Sequence, residues 1–218
     1  MVPPFTVDQF LGVFESYNLA MWPMHLAAYA LGLAAVLCVM KKRTYSDRLV
    51  NLVLGLFWIW NGVLYHITYF SSINKAAYVF GALFVLQGLL FLVTGVFKKQ
   101  ISYEFTPNLT SITGILFILY SMLIYPLAGY LLGHAYPFSP AFGLAPCPTT
   151  IFTFGMLLLA VKTLPRGMLL IPLIWSLIGF NAALNLGILE DTGLLAAGIV
   201  GSAMILIKNA CFKRRGVC

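Results

Sequence analysis

The chain has 218 residues, of which 61% are hydrophobic and only 9% are charged, and its mean hydropathy is +0.94. Soluble domains are about 45–50% apolar and about 25% charged, so this composition excludes a soluble protein and predicts an integral membrane protein. The net charge of +7 does not indicate a nucleic-acid partner, because the basic residues lie in loops beside apolar segments, where they contact the headgroups of the lipid bilayer.

The first residues carry no basic side chain ahead of an apolar stretch, so no cleaved signal peptide is predicted. The sequence TVDQ predicts a capping box between Thr6 and Gln9. We therefore expect an interfacial N-terminal helix over residues 1–16 that leads into the first span. Pro23 interrupts the backbone hydrogen bonds of that span and predicts a kink.

Seven segments are apolar enough to cross a hydrocarbon core that is about 30 Å thick and takes about 20 helical residues. They are continuous apolar runs, which predict an all-α polytopic bundle of seven transmembrane helices rather than a membrane β-barrel. The whole chain, 1–218, then forms a single transmembrane domain. The segments are residues 17–40, 48–70, 76–97, 109–132, 148–164, 168–187 and 192–208.

Basic loop residues predict the orientation, because Lys and Arg in short loops stay in the cytoplasm. With the N-terminus outside and the C-terminus cytoplasmic, every Lys and Arg except Lys75 falls on the cytoplasmic side. Residues 209–218 then form a basic cytoplasmic tail.

Polar side chains concentrate in the outer half of the predicted bundle. Since polar groups cost free energy in hydrocarbon, they are expected to face the interior or a water-filled cavity. This pattern predicts a polar vestibule, with residues 133–148 as an outer loop above it. The candidate substrate-binding residues are Glu15, Asn18, His25, Asn61, His66, Gln87, Asn181 and Asn185.

Three histidines and one cysteine form a candidate metal site in the same layer, namely His25, His66, His134 and Cys147. Imidazole and thiolate ligands suit zinc or copper. The spacing matches no compact metal motif, so each histidine has the alternative of a structural hydrogen bond across helices. Cys147 has the alternative of an inert buried residue, and haem bound through histidine is a weaker possibility.

Stretches rich in small residues, AAYALGLAA and GLLAAGIVGSA, allow helices to approach closely. This contact could lie within the bundle or between protomers, so a homo-oligomer or a larger membrane complex is compatible with the sequence.

Four stretches, FTVDQFLGVFESYN, WNGVLYH, INKAAYVFGALFVLQGLLF and GHAYPFSPAFGLAPCPTTIFTFG, cover much of the chain. Together they resemble an uncharacterised family of bacterial multi-helix inner-membrane proteins. The resemblance implies a multi-pass protein of the bacterial inner membrane, and it transfers no activity and no catalytic residue.

Three functions remain open. A kinked first helix, a short fifth segment and an infolded loop favour a small-solute or ion permease, since interrupted helices mark binding sites in transporters. The alternatives are an accessory subunit of a membrane complex and a zinc- or copper-dependent intramembrane enzyme with Glu15 as its acid or base.

Overall fold

The computed structural model describes residues 4–165 and 167–214, without the side chains of residues 213 and 214. The described residues form eight helices, and their β-type pairing is limited to one bridge between Tyr103 and Ala160. The all-α prediction is therefore confirmed. The helices are α1 (Val7–Ala20), α2 (Met24–Met40), α3 (Ser46–Ser72), α4 (Ala77–Phe97), α5 (Leu109–Leu131), α6 (Pro146–Leu158), α7 (Gly167–Leu186) and α8 (Leu189–Phe212).

Five helices, α3, α4, α5, α7 and α8, are long and apolar enough to cross a membrane, and α1 with α2 makes six if the bent pair counts as one span. Helices of this length and composition are compatible with an integral membrane protein. The prediction of seven spans is not confirmed, because α6 has 13 residues. At 1.5 Å per residue it is about 20 Å long, which is less than the thickness of the hydrocarbon core.

The predicted capping box is present at the start of α1. The Thr6 hydroxyl oxygen accepts from the Gln9 amide at 3.2 Å, and the Gln9 side chain accepts from the Thr6 amide at 2.9 Å. The helix continues to Ala20, beyond the predicted limit at residue 16. A bend of 85° then separates α1 from α2, and Pro23 lies at this break because it cannot continue the backbone hydrogen-bond ladder.

Helix α6 lies at the centre of the bundle, where every residue is buried except the half-buried Cys147. Close backbone contact makes this position possible. A Cβ atom on Gly155 would lie 2.8 Å from the carbonyl oxygen of Gly114 in α5. Gly62 in α3 and Gly81 in α4 have the same relationship, at 2.7 Å. Glycines at such contacts let two helices pack backbone to backbone.

The connections between helices gather at two ends of the bundle. The acidic end comprises residues 70–77, 132–145 and 187–191, and the basic end comprises residues 41–45, 98–108 and 160–165. At the basic end, Lys42 contacts Asp47 and donates to the carbonyl oxygen of Tyr103 at 2.6 Å. Burial, together with the charge of Asp47, raises the pKa of Tyr103 well above its ordinary value of 10.0.

The segment predicted as an outer loop, residues 133–148, folds into the protein instead of only covering it, and we call it the infolded segment. Its last residues belong to α6, which begins at Pro146. Phe142 to Ala145 are buried, and the Tyr17 hydroxyl donates to the carbonyl oxygen of Leu144 at 2.8 Å.

The predicted basic tail, residues 209–218, is described in part. Residues 209–212 are the last residues of α8, whose backbone stays helical to Arg214, and residues 215–218 lie outside the described residues. Asn209 is buried and pairs with the backbone of Leu164, through hydrogen bonds of 3.0 and 2.9 Å. This part of the predicted tail is therefore anchored to the loop before α7.

Candidate functional site

A cavity of about 290 Å³ lies at the acidic end, between α1, α7 and the first turn of α6. Its wall is largely apolar and rich in aromatic side chains. The start of α1 and the residues before it cover one side, because Phe10 and Phe5 pack against Ala183, Leu186 and Ile188. The aromatic residues of the wall are Phe5, Phe10, Phe14, Tyr65, Phe70, Phe80 and Trp175.

The carboxyl group of Asp191 is the acidic group on this wall. Asp191 is only 4% exposed, and its Oδ1 accepts a 2.6 Å hydrogen bond from the Tyr125 hydroxyl. Cys147 and Trp175 also line the cavity, and the thiol lies close to both the Asp191 carboxyl group and the Trp175 indole. The cavity therefore has an apolar body and one polar corner.

Glu190 is buried next to Asp191 and is 2% exposed. Its Oε1 lies 3.2 Å from Nδ1 of His134, while its Oε2 is buried with no partner among the described residues. The Tyr120 hydroxyl donates to the Glu190 carbonyl oxygen at 2.7 Å. Predicted as a metal ligand, His134 thus contacts a carboxylate, and this contact links the infolded segment to α8.

Two of the predicted substrate-binding residues, Asn18 and Asn61, hold the infolded segment in place. Asn18 donates to the carbonyl oxygens of Pro137 and Ser139 at 2.6 and 2.8 Å, and its own oxygen lies 3.2 Å from Nε2 of His25. Asn61 donates to the carbonyl oxygen of Gly143 at 3.1 Å. These amide groups supply hydrogen-bond partners for backbone carbonyls of a buried residue, Gly143, and of two half-buried residues, Pro137 and Ser139.

His66 is fully buried in an aromatic cluster. Its ring centroid lies 4.7 Å from Phe84 and 5.0 Å from Trp175, and Phe80 is 5.9 Å away. Both ring nitrogens lack a hydrogen-bond partner among the described residues. Gln87 is equally buried, and its amide donates to the carbonyl oxygen of Met168 at 3.2 Å.

The remaining predicted residues lie nearer to the surface. Asn181 is exposed and borders the cavity, and Asn185, also exposed, donates to the Asn181 carbonyl oxygen at 2.6 Å. Glu15 is half-buried on α1. Local hydrogen bonds and aromatic packing take up most of the predicted side chains, and a single polar vestibule formed by all of them stays a prediction.

The four predicted metal ligands, His25, His66, His134 and Cys147, do not converge. Within residues 4–165 and 167–214, no group of three or more His, Cys, Asp or Glu residues could hold a metal ion. The histidines have other contacts instead. The ring of His25 contacts Asn18, that of His134 contacts Glu190, and that of His66 lies among aromatic rings. The arrangement therefore gives no support to a zinc or copper site.

The sequence signature of the family of unknown function DUF6064 matches residues 7–215. The chain belongs to this family. The resemblance to an uncharacterised family is thereby confirmed, and membership in DUF6064 assigns no activity. Comparison with curated proteins and with solved structures finds no match.

Sequence reasoning missed the polar corner of this DUF6064 protein. Asp191 and Glu190 occur in the sequence LEDTG, which indicates a solvent-exposed turn. In the structure this turn is folded against Tyr120 and Tyr125 of α5. The available signal was their position between two long apolar segments in a chain with only six acidic residues.

Proposed function

We propose that the protein binds a small, largely apolar molecule in the cavity at the acidic end, with the polar part of that molecule at Asp191 and Cys147. The observation that carries this proposal is the cavity itself, about 290 Å³ with an aromatic wall and one buried carboxyl group. Ligand pockets have volumes of about 300–1,000 Å³ and combine an apolar lining with a few polar groups. The cavity therefore suits a compact ligand of one ring or a short chain.

The cavity faces the extracytoplasmic side of a bacterial inner membrane in this proposal. The basis is the charge distribution, since the basic end carries Lys41, Lys42, Arg43, Lys98 and Lys99, whereas the acidic end carries Glu190, Asp191 and Lys75. Lys and Arg residues in short loops are retained in the cytoplasm. The ligand then enters from the periplasm or from the outer leaflet.

Permease activity is a second candidate, and the interrupted helices favour it. Helices α1 and α2 meet at an 85° bend, and α6 is a short buried helix that follows an infolded segment. Transporters commonly build their substrate sites where helices are discontinuous. Here the N-terminal turn of α6, with Pro146 and Cys147, forms part of the cavity wall.

Three matched probes test the binding proposal on full-length protein in nanodiscs of phosphatidylcholine. Benzyltrimethylammonium is a cation, neopentylbenzene is its neutral isostere and phenylmethanesulfonate is an anion of similar size. We expect saturable binding of at least one radiolabelled probe above the level of empty nanodiscs. Two separate substitutions that fill the cavity, Ala182→Phe and Ala76→Phe, should weaken this binding.

The control is Leu184→Phe, because Leu184 lies on the same helix as Ala182 and is 57% exposed. It should bind the probes as the wild type does. If no probe binds more than it binds to empty nanodiscs, or if the filled variants bind as well as the wild type, the cavity is not a ligand site.

A further inference from the structure

The Asp191 carboxyl group is buried without a cationic partner. Among the described residues, the close contacts between basic and acidic side chains join Lys42 to Asp47 and His134 to Glu190, and Asp191 belongs to neither pair. Its hydrogen bond comes from an uncharged donor, the Tyr125 hydroxyl. Buried carboxylates in proteins are ordinarily paired with a cation or a metal, because an isolated buried charge is costly. A carboxyl group buried in this way is either neutral or paired with a positive charge that a ligand supplies.

The wall around Asp191 has the chemistry that favours a cation. Aromatic rings carry negative charge on their faces, and cages of aromatic rings bind quaternary ammonium groups. The rings of Phe14 and Tyr65 stack with centroids 5.2 Å apart, and Tyr65 stacks on Phe70 at 5.7 Å, so part of each ring face contacts a neighbouring ring and not the cavity. All three line the cavity, so its surface is built largely from aromatic groups.

No competing positive charge occupies the wall. Among the described residues that line the cavity, none is Lys, Arg or His. Lys75 lies between the lining residues Asn74 and Ala76, but it is exposed and is not part of the wall. An anionic ligand would therefore meet the Asp191 carboxyl group without a compensating basic side chain.

We infer that the ligand of this cavity is a small organic ammonium ion, whose charged group pairs with Asp191 and whose apolar part contacts the aromatic wall. This inference rests on the proposed function, because it names the class of molecule that the same cavity binds. The ammonium group supplies the counter-charge that the ionised Asp191 lacks, and the aromatic wall contacts the apolar part of the ligand.

The same three probes test this inference, because they differ in charge at nearly constant shape. Benzyltrimethylammonium should bind at least about tenfold more tightly than neopentylbenzene, the difference that a desolvated cation–π and charge contact gives. Phenylmethanesulfonate should bind weakest. The substitution Asp191→Asn should remove most of the preference for the cation. Asp8→Asn, which removes an exposed carboxyl group from α1, should leave the preference unchanged.

The results of these binding measurements distinguish failure of the inference from failure of the proposed function. If the neutral isostere binds as tightly as the cation in the wild type, the inference is overturned while the proposed binding function stands. If no probe binds, the proposed function fails and the inference falls with it. Should Asp191→Asn not fold, the ranking of the three probes on the wild type still decides. Where Asp191→Asn folds and keeps the full cation preference, the carboxyl group is not the recognition element.

Discussion

The hydroxyl group of Tyr125 donates a 2.6 Å hydrogen bond to Oδ1 of Asp191, and the two residues are 1% and 4% exposed. Tyr125 belongs to α5 and Asp191 to the first turn of α8, so this bond joins two helices that are far apart in the sequence. It also fixes the carboxyl group at the corner of the cavity. The first prediction concerns this bond.

Tyr125→Phe should lower the free energy of unfolding by about 1–3 kcal/mol, the usual cost of leaving a buried acceptor, here Oδ1 of Asp191, without its donor. The control is Tyr130→Phe on the same helix, because Tyr130 is 66% exposed and should change stability by less than about 0.5 kcal/mol. Denaturant titration of both variants in detergent measures the difference. Equal effects of the two substitutions would show that the bond contributes nothing.

Asn18→Ala should release the infolded segment, because the Asn18 amide donates to the carbonyl oxygens of both Pro137 and Ser139. Hydrogen exchange followed by mass spectrometry should show faster exchange over residues 135–145 than in the wild type, since local opening becomes easier. Ser16→Ala, at an exposed position on the same helix, is the matched control. Unchanged protection of the segment in Asn18→Ala would contradict the role given to this side chain.

Alanine substitutions at Gly143 and Gly133 separate the free-energy cost of backbone strain from the cost of steric overlap. Both have a positive φ, of 74° and 92°. A Cβ atom on Gly143 would approach the Cβ of Ala28 to 2.9 Å, whereas a Cβ on Gly133 meets nothing within 4 Å. Both alanine substitutions carry the conformational cost of about 1 kcal/mol or more, and Gly143→Ala adds a steric cost of about 1–3 kcal/mol.

Gly143→Ala should therefore unfold at a clearly lower denaturant concentration than Gly133→Ala. The comparison removes the conformational cost that both share, so the remaining difference reports the contact between the infolded segment and α2. Two equally stable variants would mean that residues 142–145 are not packed against the helices as the structure has them.

Features that depend only on residues adjacent in the sequence could be predicted. The capping box of Thr6 and Gln9 and the break at Pro23 follow from local backbone chemistry, and both are present. The all-α fold follows from composition. These features require no knowledge of which helices pack together.

The burial of α6 and of Asp191 depends on distant residues, and this is why the sequence did not reveal it. An apolar helix has the same sequence pattern whether lipid or protein surrounds it, so the sequence did not indicate the central position of residues 146–158. An acidic residue in a turn is expected to be exposed to solvent unless its partner is known. The partner of Asp191 is Tyr125, which lies 66 residues away in the sequence. Asn181 and Asn185 were expected in the interior, but both are exposed on α7, with Asn181 at the border of the cavity.

His66 and His134 should respond in opposite ways to the same substitution. The ring of His66 is buried among aromatic rings, and both of its nitrogens lack partners within the described parts of the chain. Replacing a buried polar group that has no partner with an apolar one is neutral or stabilising. His66→Leu should therefore keep or raise the free energy of unfolding.

His134→Leu should instead lower the free energy of unfolding by about 1–3 kcal/mol, because Oε1 of the buried Glu190 loses the contact with the imidazole at 3.2 Å. Denaturant titrations of the two variants at the same pH provide the comparison. A large loss of stability in His66→Leu would indicate that the imidazole has a polar partner, such as a bound water molecule or a ligand. His66 would then be connected to the cavity through Trp175, because Trp175 packs against the His66 ring and also lines the cavity.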